Sequence, residues 1–394
     1  MKNIVGTPAR GDNFFPREKE VARIINRIKA GNNLQIAAPR RVGKTSILFY
    51  LQDNNIEGYT YVYVDTESIS TEHDFYKKLL KEILRNDIIA KSNLLQKLVK
   101  AGTGLLGKIK SIKILETGID FKDDSSEVNY LEELTNFLSG FELEGETKLI
   151  LLLDEFPQTI LNIIRANNGD SQAAIQFLQS NRELRQNPDI NEKVQFIYTG
   201  SIGLNHTVAT INASAFVNDL NAIEVEPLNP EEATQFINQL LEEKGVSISL
   251  EAINHLLQKI EWYIPFHIQL AVQEIIDLTI SAKQANAAVV DQAFTNIIAS
   301  RNNSHFEHYH SRLRAQFKGE EFKYAEKLLS ELATTGTLSK ATLYDMAIPY
   351  QLDDNYRHII GILESDGYIN NNSSPSTYRF NSSIVRMWWQ KNIA

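Results

Sequence analysis

Cysteine is absent from the 394 residues of this chain, which removes disulfides, zinc–thiolate sites and cysteine nucleophiles at once. A reducing cytoplasm is the expected compartment. Long apolar runs are missing too. No window approaches the roughly eighteen uninterrupted apolar residues of a membrane-crossing helix, so no membrane partner is expected. The opening residues, MKNIVGTPARGDNFFPREKE, lack the apolar stretch of a secretory leader. Positive charge is in deficit, with 40 Lys and Arg against 49 Asp and Glu and a net charge of −9, so any nucleic-acid surface must be a local patch. What remains is 43% hydrophobic and 23% charged, an ordinary globular balance for which two or three domains are expected.

Short apolar runs alternate with helix-period stretches through the first part of the chain: Leu34–Ala38, Tyr59–Val64, Leu149–Leu153, Val194–Tyr198 and Ala222–Val225. With helical patterns such as Arg17–Lys29 and Lys44–Gln52 between them, they predict an α/β fold, a parallel sheet buried on both faces. A hairpin is expected at 110–123, inside an insertion of about 88–145, after a basic amphipathic segment at 94–109 that reads as a solvated face. The strand pattern stops at Asn229-Pro230-Glu231-Glu232, which has a helix cap, a proline at the first position and acid in the first turn. Residues 1–228, 229–300 and 317–394 are therefore read as a sheet domain, a helical domain and a C-terminal module, with a linker helix over 301–316. Three helices and a two-stranded hairpin in the last part predict a winged helix.

The chemistry sits at strand ends. Ala38-Pro39-Arg40-Arg41-Val42-Gly43-Lys44-Thr45-Ser46 follows an apolar strand and opens a helix, the context demanded of a phosphate-binding P-loop. Backbone N–H groups and the positive helix end suit the β-phosphate, Lys44 would reach the β- and γ-phosphates, and the Thr45 hydroxyl would bind Mg²⁺. Ala38 stands where the pattern has its first glycine, and alanine should be tolerated there. Lys148–Phe156, KLILLLDEF, delivers Asp154 and Glu155 to the C-terminal end of a second strand, where ligands of open α/β sheets bind. Asp154 is expected to hold the Mg²⁺ and Glu155 to orient the attacking water. A glycine–lysine pair can open a helix by chance, and a carboxylate pair can merely cap one, but their conjunction points to ATP. Thr199-Gly200-Ser201, after a further strand, brings hydroxyls that would either sense the γ-phosphate or cap a helix.

Arg17-Glu18 after Phe14-Phe15-Pro16, the APRRVGKTS loop, LLLDEF and YTGS, in this order, resemble the archaeal-type P-loop ATPases, relatives of the STAND and AAA+ groups. Glu226-Pro227-Leu228 and Tyr263-Ile264-Pro265 add to the resemblance, which covers nearly the whole chain. It implies a RecA/AAA+-like sheet, a helical lid, a winged helix and slow hydrolysis of ATP as a molecular switch. It further implies that Phe15, Pro16 and Arg17 lie near the adenine and that Pro265 approaches the nucleotide. The sequence departs from the pattern in having Tyr263 two residues before that proline and Pro16 before Arg17, where glycine is usual. Arg182 and Arg185 are candidates for an arginine finger, against the plainer reading of helix-surface arginines.

His305, His308 and His310 do not share one helical face and are read as part of the linker helix rather than as metal ligands. Residues 317–394 hold eight Lys or Arg and nine Asp or Glu, a balance of −1. Docking on the ATPase core, on a protein partner or on another copy is therefore expected ahead of DNA for this module, with Tyr356, Ile359, Leu363, Trp388 and Trp389 as candidate apolar contacts, although packing against the wing is the ordinary reading of the two tryptophans. A DNA-acting ATPase and a nucleotide-binding scaffold that scarcely hydrolyses are the alternatives to a switch.

Overall fold

A computed structural model of the protein describes residues 1–90, 128–143, 147–201, 203–372 and 374–394. The expected hairpin at 110–123 and the basic segment at 94–109 lie outside the described residues. The chain divides into two units. One comprises Pro16–Ala38 and Lys44–Val225, and the other Met1–Phe15, Pro39–Gly43 and Glu226–Ala394.

The first is the sheet unit. Among its described residues, β1 (Leu34–Ala37), β2 (Tyr59–Asp65), β3 (Lys148–Asp154), β4 (Val194–Thr199) and β5 (Asn221–Glu224) form a parallel sheet in the order β2-β3-β4-β1-β5. β3 lies inside it and is buried from Leu149 to Asp154, which is why its sequence is a continuous apolar run rather than an alternating one. Register puts Leu153 beside Val64 and Tyr198, and Asp154 beside Asp65, so the strand tips come together at the carboxyl edge. Of the intervening helices, α1 (Glu18–Lys29) buries Val21, Ile24 and Ile28, one stripe at helical spacing. α2 (Lys44–Asp53) starts where the 38–45 loop ends, and α3 (Glu72–Arg85) is capped by the Thr71 hydroxyl, which accepts from the Asp74 N–H.

The second unit is mostly helical. Its first helix, α4 (Pro230–Glu242), has both halves of a capping box: the Glu232 N–H donates to the Asn229 side chain and the Asn229 N–H to Glu232, each at 2.9 Å. α5 (Leu250–Ile260), α6 (Pro265–Leu278) and α7 (Ala287–Ile297) follow, then α8 (Glu307–Gln316). The C-terminal part runs α9 (Gly319–Thr335), β6 (Leu338–Ser339), α10 (Lys340–Ala347), α11 (Tyr356–Ser365), β7 (Ile369–Asn370), β8 (Thr377–Phe380) and α12 (Ser383–Asn392). The three strands pair antiparallel in the order β6-β8-β7. β6 is an addition to the expected hairpin, too short to show a period.

Four of the five residues proposed as docking contacts are core instead. Ile359, Leu363 and Trp389 are fully buried and Trp388 is 2% exposed. The indole N–H groups donate to Asn303 (Trp388) and Ser330 (Trp389), at 3.0 and 3.2 Å, so α12 packs by its aromatic face and satisfies its polar atoms there. Tyr356 alone of the five is only half-buried.

The three histidines of the linker region separate by role. His310 pairs with Glu326 at 2.6 Å. His305 and His308 pack around Arg41, whose guanidinium lies 3.9 Å over the Phe266 ring and donates to the His305 carbonyl at 2.9 Å. Burial, with Arg41 nearby, holds the buried His267 down to about 3 and His308 to about 2, while burial pushes Arg41 itself down to about 10. A histidine kept neutral by folding binds fewer protons than it does unfolded. Its contribution is therefore complete above about pH 6.5 and is lost as pH falls toward the folded value, by about 1.4 kcal/mol per pH unit. Urea unfolding between pH 7.5 and 5 should show stability falling with acid, with a shallower slope in His267→Asn. Equal slopes in the two proteins would contradict this.

Candidate functional site

In the sheet unit the first and third strands deliver their chemistry to neighbouring positions. Lys44 and Thr45 open α2, and the fold brings that helix start to the tip of β3. The Thr45 hydroxyl donates to Asp154 Oδ2 at 2.7 Å. Asp154 is 3% exposed, yet both carboxylate oxygens are met. Tyr63 donates to Oδ2 at 3.2 Å, the Glu155 N–H to Oδ1 at 3.1 Å, and the Thr199 hydroxyl to Oδ1 as well. The donors replace the water that this buried group has lost.

Glu155 follows in the left-handed region, with φ of 58° and ψ of 29°, immediately before α13 (Phe156–Ala166 in the sheet unit). A non-glycine residue there carries strain of about 1–2 kcal/mol. Its carboxylate is anchored on β4's far end, where Ser201 gives both its N–H and its hydroxyl to Oε2, each at 2.9 Å. The two hydroxyls read from sequence as phosphate sensors or caps are thus turned to the carboxylate pair, Thr199 to Asp154 and Ser201 to Glu155.

Lys44 is 6% exposed and donates to the Ala38 carbonyl at 3.0 Å, folding its ammonium over its own loop. Gly43 has φ of 103°, a conformation open to glycine at no steric cost, whereas Ala38 is not in the left-handed region. That is the physical reason alanine serves at the first position of the loop and glycine is kept at the later one. Arg41 also has a positive φ, of 65°. Its side chain is spent in the helical unit on Phe266 and the His305 carbonyl, so among the loop residues expected to hold nucleotide, Arg41 offers only its backbone.

The residues expected around the adenine are distributed. Arg17 is buried and bonded to Glu20 at 2.7 Å in the sheet unit, while Phe15 meets Phe236 at 5.0 Å between ring centroids in the helical unit. Pro265 begins α6, beside Phe266.

Both arginines read as finger candidates are engaged within the sheet unit. Arg185 is buried, paired with Asp219 at 2.8 Å, and donates to the Phe216 carbonyl and the Tyr198 hydroxyl. Arg182 donates to the Ala215 carbonyl at 2.8 Å. Both pin the 214–219 segment. The apolar-polar pattern of their helix could not show it, because the partners lie on a later loop. Tyr63 was likewise not found: in an alternating strand it reads as one more β-forming aromatic.

The fold and this strand-tip arrangement define a class: the chain has the α/β fold of Walker-type, AAA+-like P-loop ATPases, with a five-stranded parallel sheet. A Walker-type ATPase of Pyrococcus abyssi is similar over 98% of this chain and 99% of its own, at a TM-score of 0.64 and 16% identity. The ORC2 protein of Aeropyrum pernix, in a structure of its ADPNP and ADP complexes, is similar over 97% and 96%, at a TM-score of 0.56 and 13% identity. At such identities the likeness is one of fold. No protein-family model matches the chain, and no curated protein does.

Breaking a buried ion pair from one side leaves the other charge uncompensated, at about 3–5 kcal/mol. Arg185→Ala should therefore lower the unfolding free energy by an amount of that order in urea titrations. A variant of unchanged stability would restore Arg185 as a functional candidate.

Proposed function

We propose that the protein binds ATP with Mg²⁺ on residues 38–45 and hydrolyses it slowly, as a nucleotide-driven switch. The observation that carries this reading is the 2.7 Å bond between Thr45, at the start of the loop's helix, and the buried Asp154. It joins a phosphate-binding loop to a carboxylate at one edge of a parallel sheet, where ligands of such sheets lie. The donor set fits Mg²⁺, a hard cation that takes oxygen ligands and is usually held by one or two carboxylates plus substrate phosphates. Thr45 and Asp154 would hold it, and bound metal would neutralise charge on the phosphates.

The chain's own groups do the rest. Backbone N–H groups of residues 40–45 cradle phosphate, and Lys44 leaves the Ala38 carbonyl for a phosphate oxygen. Glu155 orients water and accepts its proton, once its carboxylate turns from Ser201. Thr199 keeps Asp154 aimed.

The switch reading is supported by Arg41 of the loop, whose side chain is held by Phe266 beside Pro265 and by the linker segment at His305. Phosphate bound by the loop backbone would bias those contacts, and hydrolysis would release them. The winged-helix reading of 317–394 rests on its helix and strand order. Its charge balance of −1 favours a protein partner over duplex DNA for that module.

Equilibrium binding of a fluorescent ATP analogue by the full chain tests the loop. Lys44→Ala should weaken it by about ten- to a hundredfold, the value of a charge-assisted hydrogen bond, while the fold is unchanged. Parental affinity in a folded Lys44→Ala would remove the site. With labelled duplex, the full chain should bind no more tightly than about 10⁻⁴ M at physiological salt. Micromolar binding lost on Arg357→Ala would establish the DNA-acting alternative.

A further inference from the structure

We infer that Tyr63 is a positioning residue for the Mg²⁺ site, acting through Asp154; this rests on the reading of the loop as a Mg·ATP site. Tyr63 stands on β2, next to β3 in the sheet, and its hydroxyl donates to Asp154 Oδ2 at 3.2 Å. Thr45 donates to the same oxygen at 2.7 Å. Oδ1 meanwhile takes the Glu155 N–H and the Thr199 hydroxyl. Two donors on each oxygen fix both the rotation and the plane of the carboxylate, and a metal, or water on it, would take the place of one of them. Three of the elements that meet here, α2, β3 and β4, carry residues of the expected motifs. Tyr63 supplies the one bond from β2.

The phenol suits this task better than a hydroxyl on a flexible stem. Its ring packs on Phe49 of α2, at 4.8 Å between centroids, so the O–H direction is set by a rigid aromatic pair. Mg²⁺ demands near-ideal geometry, and a carboxylate free to swing by a few tens of degrees meets it less well. Tyr63 does not touch nucleotide or reacting atoms in this role. It holds Asp154 at the angle from which the metal, or water on the metal, is met.

Tyr63→Phe in the full chain keeps the ring against Phe49 and removes only the hydroxyl. Dissociation constants for a fluorescent ATP analogue, with and without Mg²⁺, separate the possibilities. Metal-free binding should stay within about twofold of the parent, whereas the gain in affinity that Mg²⁺ brings should shrink by about tenfold, as expected for one hydrogen bond to a charged group. Titration of Mn²⁺ into the nucleotide complex, followed by its paramagnetic signal, should show the same loss without any turnover. Tyr63→Leu should show at least the same loss of Mg²⁺ gain, plus lower thermal stability from the lost ring. An unchanged Mg²⁺ gain in Tyr63→Phe, or an equal loss with and without metal, would overturn the role. A parent chain that binds no nucleotide would overturn the loop reading and this role with it.

Discussion

The Asp154 carboxylate is the constraint on which the sheet unit's site depends. A charge that is 3% exposed is tolerable only where donors stand in for water, and the four that do so come from four places in the fold. Thr45 brings the end of the phosphate loop, Tyr63 brings β2, Thr199 brings β4, and the Glu155 N–H belongs to the turn that leaves β3. One buried carboxylate thus ties together the start of α2, β2, the end of β4 and the turn after β3. On the proposed reading these are also the groups that would meet Mg·ATP.

Glu155 shows the same economy in a strained residue. Its left-handed backbone costs about 1–2 kcal/mol, offset by the two bonds its carboxylate accepts from Ser201. The turn throws the side chain across the strand tips rather than down the face of the following helix. In the proposed role of general base, Glu155 would have few rotamers to lose but would part from Ser201 before acting on water. In the helical unit, Arg41 is an analogous case: a positive-φ loop residue whose side chain is fixed by a ring and a carbonyl. Both residues combine a left-handed backbone with a side chain held by named partners, and on the proposed reading they flank the phosphates, where strain is commonly held.

Much of the fold was legible because buried parallel strands and amphipathic helices leave periods in sequence. Leu149–Leu153 and the cap at Asn229 are local signals, readable within a few residues. The loop and the carboxylate pair could be read for the same reason: each is a short motif in a defined context. The rest is long-range. Tyr63 and Asp154 are separated by 91 positions, and Arg41 and His305 by 264, so no window contains both partners. Arg185 read as a helix-surface arginine because its partner, Asp219, lies beyond the next strand. Trp388, Trp389, Ile359 and Leu363 read as a possible contact face because an amphipathic stripe looks the same whether its cover is this chain or another.

In the proposed mechanism a strand-tip carboxylate pair divides the work, Asp154 serving the metal and Glu155 the water. Phosphate release from labelled ATP by the full chain, beside nucleotide retention on a filter, addresses this directly. Release by the parent should depend on Mg²⁺ and, in Glu155→Gln, ATP should be retained with release reduced at least a hundredfold, about the lower end of what a positioned general base contributes. Parental release by Glu155→Gln, or no Mg²⁺-dependent release by the parent, would contradict it.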